Sequence, residues 1–232
     1  MTRHLFELPE AFSIPLRGEG ASFPVRRIFC VGRNYAAHAA EMGNEVDREA
    51  PFYFTKSPAS AIASGATIAY PPGTADYHHE MELAVLIGAP AFRVTAANAS
   101  KAILGYCAAL DMTRRDLQGI AKDKRRPWDI GKDFENSAVF ATASRAADVG
   151  ALEGLLIRLS VNGAIRQDSL LGDMVHSVPE IIADLSKYYH LGQGDVILTG
   201  TPAGVGPVIA GDVLEGEIGN LEPIRLTIGS AE

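Results

Sequence analysis

Residues 76–87 read Asp-Tyr-His-His-Glu-Met-Glu-Leu-Ala-Val-Leu-Ile, and this stretch carries the strongest fold signal in the chain. From Leu83 onward both alternating faces are apolar, which predicts that residues 80–87 form a strand buried on both sides. Glu80 and Glu82 lie on one face at the entry of that strand, where two like charges need a compensating cation. The stretch therefore predicts both a sheet and a charged site at its edge.

Further short apolar segments on both sides of this stretch are typical of strands, at residues 27–31, 52–55, 103–110 and 196–199. Asn162-Gly163 between residues 155–161 and 164–169 is a strong hairpin signal. The pattern lacks strict alternation of strands and helices. It predicts a mainly β (α+β) fold, a β-rich roll or sandwich with a few short helices.

Four short helices are predicted between these strands, at residues 34–43, 95–102, 111–121 and 177 to about 189. Asn34 can cap the first helix and Gly43 can end it. Ser177 and Glu180 have the spacing of a capping box at the start of the last helix. Asp111 is a possible N-cap of the third.

The chain organisation indicates an N-terminal arm, residues 1–24, and a single domain, residues 25–232, because the arm is loosely patterned and contains prolines. Aspartate and glutamate outnumber lysine and arginine by 28 to 21 in 232 residues, giving a net charge of −7, which argues against a nucleic-acid partner. No apolar run approaches about 18 residues, so no membrane span is expected. No secretory signal follows the first residues, and two cysteines make no disulfide framework, so a cytoplasmic location is expected.

A metal site is the first functional hypothesis. Asp111 follows the apolar segment 103–110 and can supply a third carboxylate beside Glu80 and Glu82. Ligation by carboxylates alone indicates Mg²⁺, Mn²⁺ or Ca²⁺. Two alternatives remain open: the two glutamates line a solvated strand end while Asp111 only caps a helix, or His78, on the same face, indicates zinc.

His38 and Glu41 form a second candidate group, because their i, i+3 spacing brings the two side chains together on a helix. A carboxylate beside an imidazole makes a general base that can activate water. The alternative is an ordinary surface pair on an alanine-rich helix. The polar run Gly32-Arg33-Asn34-Tyr35 after a buried strand favours a functional site.

Lys132, Arg115 and Gln118 are further candidates for binding an anionic ligand, and solvated side chains are the alternative for each. The loop 199–206 is rich in glycine and threonine, and it lacks the spacing of a phosphate-binding loop. Its N–H groups and hydroxyls can still hold a carboxylate. No Gly-x-Ser-x-Gly motif is present and neither cysteine has a plausible nearby histidine, so covalent catalysis is not expected.

Taken together, five motifs occur in the order and spacing of the fumarylacetoacetate hydrolase family, which the chain resembles over about residues 24–228. The motifs are Val31-Gly32-Arg33-Asn34-Tyr35 with His38 and Glu41; His79-Glu80-Met81-Glu82-Leu83; Asp111-Met112-Thr113-Arg114-Arg115-Asp116-Leu117-Gln118; Gly131-Lys132-Asp133-Phe134; and Leu198-Thr199-Gly200-Thr201-Pro202 with Gly204-Val205-Gly206.

The resemblance implies a mixed β-sandwich roll with a few short helices, which forms a homodimer and binds a Mg²⁺ or Mn²⁺ ion, for which Ca²⁺ is a possible substitute. It implies metal ligation by Glu80, Glu82 and Asp111. It implies water activation by His38 and Glu41 on a helix that orders as a lid when substrate binds. It implies that Lys132 also takes part in catalysis and that the substrate is bound by Arg33, Arg115, Gln118, Lys132 and Thr201.

The resemblance also implies the reaction, which is hydrolysis of a carbon–carbon bond in an acylpyruvate, a small anionic 2-oxo acid. Fumarylpyruvate, cleaved to fumarate and pyruvate in gentisate-type aromatic catabolism, is the expected substrate. The alternative is an oxaloacetate decarboxylase, or another 2-oxo acid decarboxylase or isomerase, on the same metal site. Three residues depart from the family pattern, Ser57, Arg114 and Asp133, and they bear on the fit of the distal end of the substrate.

Overall fold

The computed structural model describes residues 5–7, 9–41, 48 and 50–231. Strands dominate this part of the chain. Their bounds are β1 Ser13–Pro15, β2 Ser22–Pro24, β3 Arg27–Gly32, β4 Phe52–Lys56, β5 Ala61–Ala63, β6 Thr67–Tyr70, β7 Tyr77–His79, β8 Met81–Ile87, β9 Ile103–Asp111, β10 Thr113–Arg114, β11 Ala138–Phe140, β12 Ser144–Arg145, β13 Leu156–Val161, β14 Ala164–Leu170, β15 Asp195–Leu198, β16 Gly206–Pro207, β17 Val213–Ile218 and β18 Ile224–Ala231.

The helices are short. They are α1 Ala36–Glu41, α2 Ala96–Ala99, α3 Arg115–Asp123, α4 Asp129–Lys132, α5 Ala146–Val149 and α6 Val178–Leu185. Single 3₁₀ turns occupy Pro58–Ser60, Ser100–Ala102 and Leu171–Asp173. Within the described ranges, no helix has the length and apolar character needed to cross a membrane.

Two sheets organise the molecule. The larger has the order β4-β3-β15-β8-β9-β11-β5, with β12 paired to β9, and it mixes parallel with antiparallel neighbours. The second has the order β14-β13-β17-β18-β6. Smaller sheets of order β10-β7-β16 and β1-β2 complete the set. The predicted mainly β fold with a few short helices is confirmed.

Strand β8 lies in the middle of the large sheet and is buried along its whole length, which confirms the prediction from its sequence. Leu83 and Val85 enter one apolar cluster, together with Leu159 of the second sheet. Leu86, on the opposite face, enters another cluster with Ile14 of the β1–β2 hairpin. Each buried leucine contributes about 1.5–3 kcal/mol relative to an exposed one, so both faces of the strand hold the fold together.

The hairpin and the last helix follow their local sequence signals. Asn162 and Gly163 both have positive φ, 53° and 78°, as a tight turn between β13 and β14 requires. At α6, the Glu180 carboxylate accepts hydrogen bonds from the backbone N–H and the hydroxyl of Ser177. The helix ends at Leu185, earlier than the predicted end near residue 189.

Two other predictions about helices were wrong in detail. Asp111 is the last residue of strand β9, and helix α3 begins only at Arg115 because β10 intervenes and pairs with β7. Asn34 does not cap α1; its side chain bonds to the backbone of His176 and Thr199 instead. The predicted end of that helix, Gly43, lies outside the described residues.

Candidate active site

The predicted site residues converge on one cleft with about 470 Å³ of atom-free space. The cleft lies at the start of β8 and is bounded by α1, one side of α3, the end of α4 and the loop after β15. Its lining includes, from the sequence predictions, Arg33, His38, Glu80, Glu82, Arg115, Gln118, Lys132 and Thr201. The remaining two, Asp111 and Glu41, lie directly behind this lining, next to Glu82 and His38.

Glu80, Glu82 and Asp111 form a carboxylate triad, in which one oxygen of each residue lies within 4.8 Å of the others. The ladder between β8 and β9 brings them together, because Asp111 N donates to Glu80 O at 2.9 Å just beyond the strand pairing. Their exposed fractions are 5%, 1% and 0%, so the alternative of a solvated strand end is wrong. Asp111 caps no helix.

His78 does not join the triad. Its Nε2 lies 2.8 Å from Asp76 Oδ1, and its Nδ1 accepts a hydrogen bond from Arg115. Among the described residues, the set close enough to hold a metal contains carboxylates alone and neither histidine nor cysteine. The donor chemistry therefore favours Mg²⁺, Mn²⁺ or Ca²⁺ over zinc.

Three cations compensate the three carboxylates. The Lys132 ammonium donates to Glu80 Oε2 at 2.8 Å, to Asp111 Oδ2 at 2.7 Å and to Thr113 Oγ1 at 2.7 Å. Arg115 donates to the other oxygen of Glu80. Lys56 Nζ lies 2.9 Å from Asp111 Oδ1. The interior here is neutral in formal charge although it is dense in ions, as buried charges require.

The pKa values reflect this arrangement. Burial tends to raise the pKa of Glu80, but the charges of Lys132 and Arg115 outweigh it and hold that pKa well below the usual range. Burial tends to lower the pKa of Lys132, and Asp111 and Glu80 together raise it instead. The pKa of Glu82 is raised by burial and then by the charges of Asp111 and Glu80. Glu82 therefore has the strongest need for a further cation.

The triad fits a divalent ion. Asp111 Oδ1 is buried and accepts no hydrogen bond from the described residues, although the Lys56 ammonium lies 2.9 Å away. A buried acceptor without a hydrogen bond is costly unless another group engages it. Glu80 and Glu82 add oxygens from the neighbouring strand, so an oxygen-only coordination site of the kind that Mg²⁺ and Mn²⁺ use is available.

His38 and Glu41 meet as their spacing predicts, with His38 Nδ1 3.3 Å from Glu41 Oε2. His38 is buried and faces the cleft, so the surface-pair alternative fails for it. Both oxygens of Glu41 accept from Gly204 N at 3.1 Å. Gly204 has φ +95° and a Cβ there would lie 1.9 Å from Arg166 O, so this anchor requires glycine.

Backbone N–H groups of the loop after β15 thus bind two carboxylates of the chain itself. Gly200 N donates to Glu82 Oε2 at 2.7 Å, as Gly204 N does to Glu41. Gly200 has φ +93°, and a Cβ would lie 2.8 Å from the Asn34 side chain. The expectation that N–H groups of this loop hold a carboxylate is met at these two positions by protein side chains.

Gln167 is a residue that the sequence analysis missed. It is fully buried on β14, its Oε1 accepts from Met81 N at 3.0 Å, and its Nε2 donates to Pro202 O at 2.8 Å. These backbone partners fix the orientation of the amide. The same Nε2 donates to Thr201 Oγ1 at 2.7 Å, which leaves the Thr201 hydroxyl hydrogen to donate elsewhere. In the structure Gln167 is the one fully buried residue of β14, and nothing in the sequence distinguishes it from its more exposed neighbours.

Lys56 was missed as well. Besides facing Asp111, its ammonium donates to Met112 O at 3.1 Å, to Ser137 Oγ at 2.9 Å and to Lys132 O. It therefore ties strand β4 to the backbone that carries Lys132. The available signal was its place at the end of an apolar strand segment, where a lysine needs an anion if it turns inward.

The three departures from the family pattern make local contacts. The backbone N–H and hydroxyl of Ser57 both donate to Asp133 Oδ1, at 2.8 and 3.0 Å, so two of the departures pair with each other. The Arg114 guanidinium stacks 4.1 Å from the centre of the Phe134 ring. Neither contact displaces a carboxylate of the triad.

The chain is similar in sequence to a known protein family and to several characterised proteins. Residues 27–229 match the family model described as fumarylacetoacetate (FAA) hydrolase C-terminal. A fumarylpyruvate hydrolase of Ralstonia sp is 52% identical over 193 residues, 82% of this chain and 100% of that protein. An oxaloacetate tautomerase of Escherichia coli (strain K12) is 43% identical over 199 residues, 85% of this chain and 90% of that protein.

A solved structure is similar over almost the whole chain. The crystal structure of fumarylpyruvate hydrolase from Pseudomonas aeruginosa in complex with Mn²⁺ and pyruvate matches with a TM-score of 0.95 at 40% identity, covering 98% of this chain and 100% of that one.

Proposed function

The chain belongs to the fumarylacetoacetate hydrolase family, and we propose that it hydrolyses a carbon–carbon bond of an acylpyruvate, with fumarylpyruvate as the substrate and fumarate and pyruvate as products. One observation carries the proposal: a buried carboxylate triad and a histidine–glutamate pair contribute to a single cleft. The 52% identity to a fumarylpyruvate hydrolase supports the choice of acyl group.

Glu80, Glu82 and Asp111 would hold the Mg²⁺ or Mn²⁺ cofactor, which when bound supplies a Lewis acid and a template for the 2-oxo acid end of the substrate. Arg115, Gln118 and Thr201 line the same cleft and offer hydrogen-bond donors to the carboxylate and keto oxygens. The Thr201 hydroxyl is prepared for this role because Gln167 occupies its acceptor side.

His38 acts as the general base and Glu41 orients its ring and stabilises the imidazolium. His38 takes a proton from water, and the water oxygen adds to the C4 carbonyl carbon. The C3–C4 bond then breaks and its electron pair moves to C3, while C4 leaves as a carboxylic acid. The proton returns to C3 and gives the methyl group of pyruvate. Lys132 places a positive charge at this site as negative charge develops.

The charge balance of the cleft supports an anionic substrate. Three carboxylates already face three cations, Lys56, Lys132 and Arg115, so a divalent ion leaves the interior with excess positive charge. The net charge of −7 describes the chain as a whole and not the field in this cleft.

A second candidate activity is tautomerisation or decarboxylation of oxaloacetate on the same site. The 43% identity to an oxaloacetate tautomerase favours it. These reactions need the 2-oxo acid site without an attacking water, so they have no need for the His38–Glu41 pair as a base for hydrolysis.

The test is a substrate panel with Mg²⁺ or Mn²⁺: fumarylpyruvate, maleylpyruvate, acetylpyruvate and oxaloacetate. Loss of the diketo-enol absorbance is followed and the products are identified. We expect fumarylpyruvate to have the highest kcat/KM and to give fumarate and pyruvate in equal amounts. Turnover of oxaloacetate alone, or release of CO₂ without a second carboxylic acid, would contradict the proposal.

The wider setting is also part of the proposal. We infer a cytoplasmic homodimer acting in gentisate-type aromatic catabolism, with residues 25–232 as one catalytic domain and residues 1–24 as an arm. The arm hairpin packs Ile14 and Phe23 onto the large sheet. Light scattering on the purified protein tests the dimer: a monomeric mass at micromolar concentration would contradict it.

A further inference from the structure

A second cleft adjoins the candidate active site, and we call it the outer cleft. It has about 1140 Å³ of atom-free space and shares Gly32, Arg33, Lys122 and Trp128 with the inner one. Its lining comprises Gly32, Arg33, Ala50, Pro51, Phe52, Lys122, Arg125, Arg126, Trp128 and His176. A ligand seated in the inner cleft can therefore extend into the outer one without leaving the protein surface.

Four cations line the outer cleft: Arg33, Lys122, Arg125 and Arg126. Arg33 reaches it from a left-handed backbone conformation, φ 58°, directly after β3. The other three come from the end of α3 and the turn after it, where Arg126 N donates to Ala121 O at 2.8 Å. A single helix end and one strained residue thus bring four positive charges together in a chain of net charge −7.

None of these four side chains forms an ion pair within the part of the chain that the structure describes, whereas every cation of the inner cluster does. Lys122 is half-buried, and its pKa is lowered first by burial and then by the charges of Arg33 and Arg115. Positive charges held near one another in a concave surface raise the local potential and attract an anion.

An aromatic wall joins the two clefts. Trp128 lines both, and its ring is packed against Phe52 and Phe54, with centroid distances of 5.0 and 5.8 Å. This packing fixes a flat apolar surface between the carboxylate triad and the four cations. A planar unsaturated chain fits such a surface, because its faces gain dispersion contacts while its ends remain free for polar groups.

We propose that the outer cleft binds the far carboxylate of a dicarboxylic acylpyruvate, so that the protein selects substrates whose acyl group ends in an anion. The inner cleft holds the 2-oxo acid end, Trp128 flanks the connecting carbons, and the cations of the outer cleft receive the second carboxylate. Arginine donors match a carboxylate in pairs of parallel hydrogen bonds. The inference rests on the proposed function and adds to it the residues that recognise the distal carboxylate of the substrate.

The first test compares the selectivity of variants. The quantity is the ratio of kcat/KM for fumarylpyruvate to that for acetylpyruvate, which lacks the far carboxylate. Lys122→Ala and Arg126→Ala should each lower this ratio by about 10- to 100-fold, through KM for fumarylpyruvate, because each removes a charged hydrogen-bond donor. Lys124→Ala is the matched control: this lysine belongs to the same segment and lines neither cleft, so ratio and activity should stay at the wild-type level.

The second test measures binding without turnover. Calorimetry on the Mn²⁺-loaded protein compares 2-oxoheptanedioate with 2-oxoheptanoate, which have equal length, differ by the terminal carboxylate and lack the 4-oxo group needed for cleavage. The wild type should prefer the dianion by about 10-fold or more, and Lys122→Ala and Arg126→Ala should lose that preference.

The outcomes separate the two proposals. Equal affinity of the wild type for both compounds, or an unchanged preference in the variants, overturns the distal-carboxylate assignment. Failure of the wild type to cleave either acylpyruvate overturns the proposed function, and the calorimetry still decides the assignment of the outer cleft.

Discussion

The two adjoining clefts use their positive charges in opposite ways. In the inner cluster, Lys56 and Lys132 are almost fully buried, and each contacts a carboxylate at 2.7–2.9 Å. In the outer cleft, Lys122 is half-buried, Arg126 is exposed, and neither has an anionic partner among the described residues. Lys132 and the cations of the outer cleft line adjoining clefts that share part of their lining.

The difference follows from desolvation. A buried charge costs several kcal/mol unless the fold supplies a fixed partner, so the inner ions had to be matched by carboxylates of the chain itself. An exposed cation keeps much of its hydration, so it needs no fixed partner in the folded protein and remains available to an anionic group of the substrate. We infer that the paired ions inside serve folding and metal binding, and that the cations of the outer cleft, which form no ion pair with a described residue, serve selectivity.

The largest expected effect comes from breaking the inner pairing. Asp111→Asn keeps the shape of the side chain, removes one ligand charge and leaves the buried Lys56 ammonium without its carboxylate. We expect a loss of about 3–5 kcal/mol in the free energy of unfolding, measured by urea denaturation in metal-free buffer. We also expect kcat/KM to fall by more than about 10⁴-fold as the metal is lost.

The matched control is an exposed pair. Asp168→Asn removes the carboxylate that lies 3.0 Å from Arg158. The exposed fractions of the Arg158 and Asp168 side chains are 35% and 45%. The free energy of unfolding should change by less than about 1 kcal/mol and activity should persist. Equal losses of stability in the two variants would remove the contrast between buried and exposed ion pairs.

His38→Ala changes a residue that faces the inner cleft but belongs neither to the buried ion cluster nor to the cations of the outer cleft. Hydrolysis of fumarylpyruvate should fall by about 10²- to 10⁴-fold through kcat, the usual contribution of a general base. Affinity for Mn²⁺ and for 2-oxoheptanedioate, measured by calorimetry, should be retained. Turnover close to wild type would show that the water is activated elsewhere.

The smallest loss of activity is expected at the hydrogen bond between the uncharged side chains of Gln167 and Thr201. Gln167→Glu keeps the acceptor for Met81 N and replaces the donor to Thr201 by an acceptor, which draws the Thr201 hydroxyl hydrogen away from the cleft. Pro202 O also loses its donor and a carboxylate is buried, so the free energy of unfolding should fall as well. We expect kcat/KM to fall by about 10-fold, the value of one hydrogen bond to a charged group.

A double-mutant cycle tests whether Gln167 works through Thr201. In a Thr201→Val background, Gln167→Glu should lower kcat/KM little further, because the hydroxyl that Gln167 orients is gone. Additive losses would mean that Gln167 has only a general structural role, which urea denaturation of the single variant would report separately.

Several site residues were predictable because their signals are local. The two-residue period of a strand placed Glu80 and Glu82 on one face. Because β8 is buried, two carboxylates on that face indicate a need for a compensating cation. The i, i+3 spacing brought His38 and Glu41 together on a helix. The position of Asp111 at the end of an apolar segment was correct, although the helix expected to start there begins four residues later.

Other residues could not be found this way. Lys56 faces Asp111 although three strands separate β4 from β9 in the order of the large sheet, so the contact depends on how the assembled sheet curves and not on neighbouring strands. Gln167 touches Thr201 only because β14 of the second sheet packs against the loop after β15. Neither side chain differs locally from an ordinary polar residue of a strand, so no periodicity separates Lys56 or Gln167 from solvated neighbours.

The sequence by itself determined the mainly β fold, the buried central strand and the carboxylates that a cation requires, since alternation and spacing act over a few residues. Only the tertiary structure decided which cations pair with those carboxylates, which way the Thr201 hydroxyl points and that four cations without an ion pair among the described residues line one outer cleft. Charge compensation and hydrogen-bond direction are set by contacts between segments far apart in the chain, and such contacts exist only once the sheets have assembled.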